Sequence, residues 1–509
     1  MSRRSRRGRH HGAPDTSHQR KVNYRNLKNP LLRQPAFSAD RLEAIHDTAL
    51  RVIEELGIKV LNSDARQYFK QAGASVDKES LIVRIDRSLV ASALESAPSE
   101  FVLHGRTEAH DVRLGGDNIS FVSVGGAPHI SDLDRGKRPA TLEDTRNIIK
   151  LSEHFDVIHL QSPNVESQDI PVQLRHYQVT ESQLSLSQKP CFIYSRGSAQ
   201  VEDAFAMMRI AYGLEREEFE ARPCCYTVIN TNSPRQLDVP MCQGIIDFAL
   251  AGQVTVITPF TLAGAMAPVT MPGALVLQHA EALAGIVLSQ IVRAGAPVIY
   301  GSFTSNVDMK SGSPAFGTPE FVQAAFGAGQ LARHIRLPWR GSAATASNAP
   351  DEQAVYEFLM SAWGSVLGGV NMMVHAAGWL EGGLTGSLEK FILDIEMLQT
   401  FAEIFDPLNS DDAELAFEAI ASVEPGSHFF GCDHTLARYQ TAFYEPLVSD
   451  WSNFGQWTEN GSQTATQRAN RIWKKILREF EAPAMDEARR EELAEFIERR
   501  SAEGGAPID

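Results

Sequence analysis

Between residues 116 and 406 the apolar positions repeat a pair of patterns: a short run apolar at nearly every position, then a stretch with apolar residues every three or four. The first pattern predicts strands buried on both faces, and the second predicts amphipathic helices packed on them. The runs are Ile119–Val124, Val157–Gln161, Cys191–Tyr194, Cys225–Ile229, Val254–Thr258, Pro297–Tyr300, Leu337–Ser342 and Val370–Val374. Helical stretches follow near Thr141–Phe155, Val172–Ser187, Gln200–Tyr212, Val239–Ala251, Gly273–Ala294, Pro319–Ile335, Ala354–Leu367 and Leu388–Phe405. Asn348 is placed to cap the seventh helix, and Gly368-Gly369 to stop it. Eight alternating strand–helix units predict an α/β fold, a (β/α)8 TIM barrel, whose usual size is ~250 residues. An open doubly wound sheet has fewer strands and a phosphate fingerprint. Neither GxGxxG after the first run nor GxxxxGK[ST] anywhere is present.

The flanks read differently. Residues 1–36 form a basic tail, expected to be disordered, that opens with Arg3, Arg4, Arg6, Arg7 and Arg9 and is poor in apolar residues. Residues 37–115 read as a small α+β layer and 116–406 as the barrel. Residues 407–509 read as a helical C-terminal extension that is charge-rich after Ala482 and frays at its end.

Composition narrows the function classes. With 43% hydrophobic and 22% charged residues the chain is that of an ordinary globular protein. A net charge of −15 opposes nonspecific nucleic-acid binding and suits a cationic small substrate. Five cysteines without zinc-type spacing fit buried thiols in a reducing compartment. The most apolar long segment, Pro272–Ala294, is broken by Gln278, His279, Glu281 and Gln290, so it reads as a core helix rather than a membrane span. The expectation is a cytoplasmic protein.

In a TIM barrel the chemistry sits at the carboxyl ends of the strands. Those ends carry Ser123, Gln161, Tyr194, Ser195, Arg196, Asn230, Thr258, Phe260, Ser302, Phe303, Ser342, Thr345 and His375. They include no carboxylate pair, Schiff-base lysine or GxSxG elbow. No metal-ligand cluster is expected either. The lining is small, aromatic and hydrogen-bonding. Tyr194, Phe260, Phe303 and Trp379 are candidates for an aromatic cage around a quaternary ammonium group. Arg196 and Arg340 are each placed to meet a substrate carboxylate, or to form structural ion pairs. Asn230 adds a polar substrate contact, and His375, ending an apolar strand, is the candidate catalytic hydrogen-bonding group. His375-Ala376-Ala377-Gly378 matches part of the cobalt-binding D-x-H-x-x-G pattern, but Met373 stands where the aspartate belongs.

Five long pieces carry a family likeness: GIKVLNSDARQYFKQAGA, PVIYGSFTSNVDMKSGSPAFGTPE, SNAPDEQAVYE, HAAGWLEGGLTGSLEKFILDIEM and HTLARYQTAFYEPLVSDWSNFGQW. In these the chain resembles the trimethylamine–corrinoid methyltransferases from about residue 40 to 480. The resemblance implies methyl transfer from a methylated amine to cob(I)alamin carried by a separate corrinoid protein. No tightly bound cofactor is then expected on this chain, and the family suggests a homo-oligomer. The founding members carry a pyrrolysine at a position that aligns near Ala344, within a residue or two. Its lack here is similar to the pyrrolysine-lacking branch, which includes glycine betaine methyltransferases. The implied substrate is a quaternary or tertiary methylated amine such as glycine betaine. The alternatives are another methyl donor on the same barrel, or a non-catalytic betaine-binding protein of a corrinoid system.

Overall fold

The computed structural model describes residues 23–507. Its main sheet contains seven parallel barrel strands: β1 (Asn118–Phe121), β2 (Cys191–Phe192), β3 (Cys225–Ile229), β4 (Val254–Ile257), β5 (Val298–Gly301), β6 (Trp339–Ser342) and β7 (Met372–Val374). From β2 to β7 they pair in sequence order, and β7 pairs with β1. The gap between β1 and β2 is filled by residues 158–161. The His159 N–H donates to Phe121 O at 2.9 Å, Leu160 bridges Val122 in parallel, and the Gln161 N–H donates to Pro190 O at 3.0 Å. The eighth position is therefore held by a few hydrogen bonds rather than a regular ladder, and the barrel closes.

All eight expected helices form on the outside: α1 (Leu142–His154), α2 (Val172–Leu186), α3 (Ser198–Tyr212), α4 (Val239–Leu250), α5 (Met271–Val292), α6 (Pro319–His334), α7 (Glu352–Gly368) and α8 (Leu388–Phe405). Thr141 starts α1 in a reciprocal capping box with Asp144. The start of α7 differs from the sequence reading. Asp351, not Asn348, caps it by accepting the Ala354 N–H at 3.2 Å, and Gly369 ends it in the left-handed region at φ 85°. Helix α5 is the one described helix long and apolar enough to cross a membrane, yet 83% of its most apolar window is buried inside the fold.

The barrel interior is apolar. Val122, Leu160, Phe192, Tyr226, Ile299, Met372 and Val374 pack in one cluster with Leu103, Val112 and Leu114 of a preceding hairpin. The His104 N–H of that hairpin donates to Pro223 O just ahead of β3, which puts the hairpin at the amino-terminal end. Residues 37–115 are not detached from the barrel, because Ile58–Val60 pairs in parallel with Gln236–Leu237 from the loop after β3.

The basic tail was expected to run to residue 36. Residues 1–22 lie outside the described residues, whereas 24–36 are held on the barrel. Leu27 pairs with Ile119, the Asn29 side chain donates to Val366 O at 2.8 Å, and Arg33 meets Asp117 at 2.7 Å. Composition hid this because the anchoring is mainly backbone and polar.

The C-terminal extension also divides. Residues 406–447 form a unit of their own, whereas 448–509 belong with 24–405. In the latter, α9 (Ala465–Glu479) packs on α8 through Asn470 and Trp473, which both donate to Glu389. Helix α10 (Glu487–Ala502) is anchored on the body: Leu493 is buried against α3, Arg500 pairs with Asp203 at 3.0 Å, and Gln200 donates to Ala506 O beyond the helix end. Of the cysteines, Cys191, Cys224, Cys225 and Cys242 are buried free thiols.

Candidate active site

At the carboxyl ends of the strands lies a cavity of about 650 Å³. Tyr194, Arg196, Asn230, Phe260, Phe303, Arg340, His375 and Trp379 all line it. Ala344 is not among the lining residues: it is fully buried, and its carbonyl accepts from Ser361 of α7 at 2.8 Å.

The aromatic residues are brought together by register. Above β4 and β5 the chain continues as two short parallel strands in which Phe260 lies directly opposite Phe303. Their rings are 5.0 Å apart, and Phe316 stacks on the other side of Phe303 at 5.1 Å, nearly parallel. His375 and Trp379 complete the wall with ring centroids 3.6 Å apart, and His375 is 5.1 Å from Phe303. Phe303 and Trp379 are almost wholly buried while touching the cavity, so they form part of its apolar wall.

His375 leaves β7 with φ 60°, a left-handed conformation that an L-residue adopts only when its surroundings enforce it. The turn that follows is pinned at every step. Ala376 N–H donates to Val122 O, Val124 N–H to Ala377 O, and Gly378 N–H to Asp394 of α8, each at 2.8 Å. Asp394 in turn holds buried Lys390 at 2.7 Å. The imidazole Nδ1 lies 2.7 Å from Ser342 Oγ. Burial, reinforced by the charge of Arg340, holds the His375 pKa well below the usual histidine range, so the ring is neutral near pH 7.

The two arginines differ in what they meet. Arg196 is 2.7 Å from Glu166, which also holds Arg175 at 3.1 Å, and its guanidinium lies over the Tyr194 ring at 4.3 Å. Burial works against its charge, but Glu166 more than offsets this and the pKa lies above the ordinary value. Tyr194 donates to Pro163 O at 2.6 Å, and burial followed by the Glu166 charge raises its pKa far out of range.

Arg340 is only 2% exposed, and among the described residues no carboxylate lies within ion-pairing distance. It donates to Ser302 O at 3.0 Å and faces the Phe303 ring at 5.2 Å, while its Nε has no hydrogen-bond partner among the described residues. Burial lowers its pKa to about 9, with slight opposition from Tyr226. An uncompensated guanidinium on a cavity wall is a site for an anion.

Glu166 escaped the sequence reading because it lies five residues beyond Gln161, the end of the second apolar run, in a loop that carries no periodicity. Thr227, whose buried hydroxyl lacks a partner, also lines the cavity; it is an inward position of β3 that alternation could have flagged. The Asn230 amide donates to Thr258 O at 3.0 Å, which ties the rim of β3 to that of β4. Among the described residues no group of three or more His, Cys, Asp or Glu is arranged to hold a metal. The site therefore offers an aromatic box, a buried unpaired cation and a neutral imidazole.

The model of a family described as trimethylamine methyltransferase (MTTB) matches residues 3–505. The chain is 36% identical over 472 residues to a glycine betaine methyltransferase of Desulfitobacterium hafniense (strain Y51), covering 92% of this chain and 98% of that protein. It is 31% identical over 471 residues to the trimethylamine methyltransferase MttB of Desulfitobacterium hafniense (strain DSM 10664 / DCB-2), covering 92% and 94%. Among solved structures, the Methanosarcina barkeri monomethylamine methyltransferase (MtmB) matches with a TM-score of 0.48 at 10% identity, covering 87% of this chain and 93% of that one.

Proposed function

The chain belongs to the trimethylamine methyltransferase (MTTB) family, and on that premise we propose that it moves a methyl group from a zwitterionic quaternary amine of the glycine betaine type to cob(I)alamin on a separate corrinoid protein. The observation that carries the substrate reading is Arg340, a buried guanidinium on the cavity wall with no carboxylate partner among the described residues. A substrate bearing only a methylated amine leaves that charge uncompensated and adds a second cation nearby. A betaine supplies the missing carboxylate, and its ammonium group fits the aromatic wall to which Phe260 and Trp379 belong, each cation–π contact contributing roughly 0.5–2 kcal/mol.

The same site suits the reaction. A quaternary nitrogen loses a methyl group as the C–N bonding pair stays behind as the lone pair of a neutral tertiary amine, so no proton needs to be delivered. The Co(I) nucleophile of the acceptor supplies the electron pair for the new bond. The protein's part is to orient the ammonium, exclude water from it, and anchor the carboxylate so that one methyl group faces the opening. Neutral His375, fixed by Ser342 and stacked on Trp379, contributes to the wall without repelling the cation.

The test is turnover with a reduced corrinoid protein and a panel of glycine betaine, carnitine, proline betaine, choline and trimethylamine, followed by loss of the Co(I) absorbance. Turnover confined to carboxylate-bearing amines is expected. Turnover with choline or trimethylamine equal to that with the betaines would remove Arg340 from the argument. Betaine binding without turnover, with the corrinoid protein proven competent, would leave a binding protein.

A further inference from the structure

The unit formed by residues 406–447 concentrates exposed apolar side chains in a short stretch. Its short helices, Asp412–Leu415, Phe417–Ala421 and Asp433–Arg438, bury no residue. Leu408, Phe417, Phe430 and Phe443 are between 72% and 97% exposed. Apolar exposure concentrated in one segment marks a contact surface. An open groove of about 900 Å³ runs through it, lined by Phe417 and the acids Asp412, Glu418, Glu424 and Asp433, with no lysine or arginine among the described residues of its walls. Residues 406–447 hold eight Asp or Glu against one arginine, Arg438. That arginine faces Glu414 at 3.6 Å.

We propose that this acidic, aromatic groove holds the chain's own arginine-rich amino terminus, residues 1–22. Those residues carry seven Arg or Lys against the single Asp15. They have almost nothing apolar to offer, yet an arginine-rich segment suits this surface. A guanidinium pairs with a carboxylate at its edge and lies flat on an aromatic ring with its face. Chain geometry makes the meeting local. The Tyr24 hydroxyl donates to Glu403 at 2.9 Å, and Asp406 is only three residues further on, so the tail and the acidic segment leave the barrel from one place. Twenty-two residues reach up to ~70 Å when extended. Tethering through a short linker gives an effective concentration on the order of millimolar. A second copy of the acidic segment is a poorer occupant, because two such faces repel.

Hydrogen exchange resolved by peptide tests this on the full chain, on a variant lacking residues 2–22, and on a full-length variant with Arg3, Arg4, Arg6, Arg7 and Arg9 replaced by Glu. In the full chain at low salt, the amides of 412–438 are expected to exchange about tenfold more slowly than in either variant. Raising the salt to ~0.5 M should erase the difference. A synthetic peptide of residues 1–22 should restore it in the truncated protein. Equal exchange in all three proteins overturns the proposal. Protection that grows with protein concentration assigns the groove to another copy instead, and protection seen only with a corrinoid protein assigns it to that partner; either result also overturns it. Methyl transfer and melting temperature, measured alongside, establish that the variants remain folded.

Discussion

Replacing Arg340 with Met should make the empty protein more stable and the betaine complex much weaker. Burial brings the Arg340 pKa down from the ordinary guanidinium range to about 9, which at about 1.4 kcal/mol per decade corresponds to an unfavourable burial on the order of 5 kcal/mol. Met fills a similar volume without a charge. Changes of this kind at buried ionic positions return about 1–4 kcal/mol of stability. The bound state moves the other way. A buried guanidinium–carboxylate pair that loses one partner costs ~3–5 kcal/mol, so the dissociation constant for glycine betaine should rise by roughly two to four orders of magnitude. Tetramethylammonium, which has the cation but no carboxylate, should bind about as well as before or slightly better. Thermal unfolding and titration calorimetry with both ligands decide the matter. A destabilised variant that still binds glycine betaine normally refutes the reasoning, since Arg340 would then be a packing residue.

Three further predictions follow from the same geometry. Glycine betaine affinity should be flat through neutral pH and fall about tenfold per pH unit above about 9, because binding needs Arg340 protonated; calorimetry between pH 7 and 10.5 measures this. His375 is held neutral, so kcat/KM should show no ionisation step near the ordinary histidine pKa of 6.5, and a step there that vanishes in His375→Asn refutes the assignment. Asp394→Ala strands the buried Lys390 and releases Gly378, at a cost of ~3–5 kcal/mol in stability. Asp394→Leu combined with Lys390→Met should recover most of the melting temperature but not the betaine KM, because the turn carrying His375 and Trp379 still lacks its anchor.

Much of the fold was legible in the sequence because the same physical unit repeats eight times. Strands covered on both faces must be apolar throughout, and their crossover helices must be apolar on one stripe, so both patterns survive without knowledge of the neighbours. Even the segment at 157–161, which makes only a few strand-like hydrogen bonds, carries the apolar run that its interior position demands. The cavity lining followed from one topological rule, that side chains at the carboxyl ends of barrel strands converge.

What the sequence determined by itself was therefore the barrel, its eight helices, and the aromatic and polar residues at one end. Tertiary structure alone decided how those residues are paired. Arg196 and Arg340 look alike in the chain, yet Glu166 arrives from another strand–helix loop to neutralise the first and leave the second bare. It likewise decided that residues 24–36 grip the barrel, that 448–507 pack with it, and that Ala344 is fully buried and not among the cavity's lining residues. Burial patterns are local and periodic and can be read along a chain. The partner of a charge is a contact between segments far apart in sequence, and no periodicity records it.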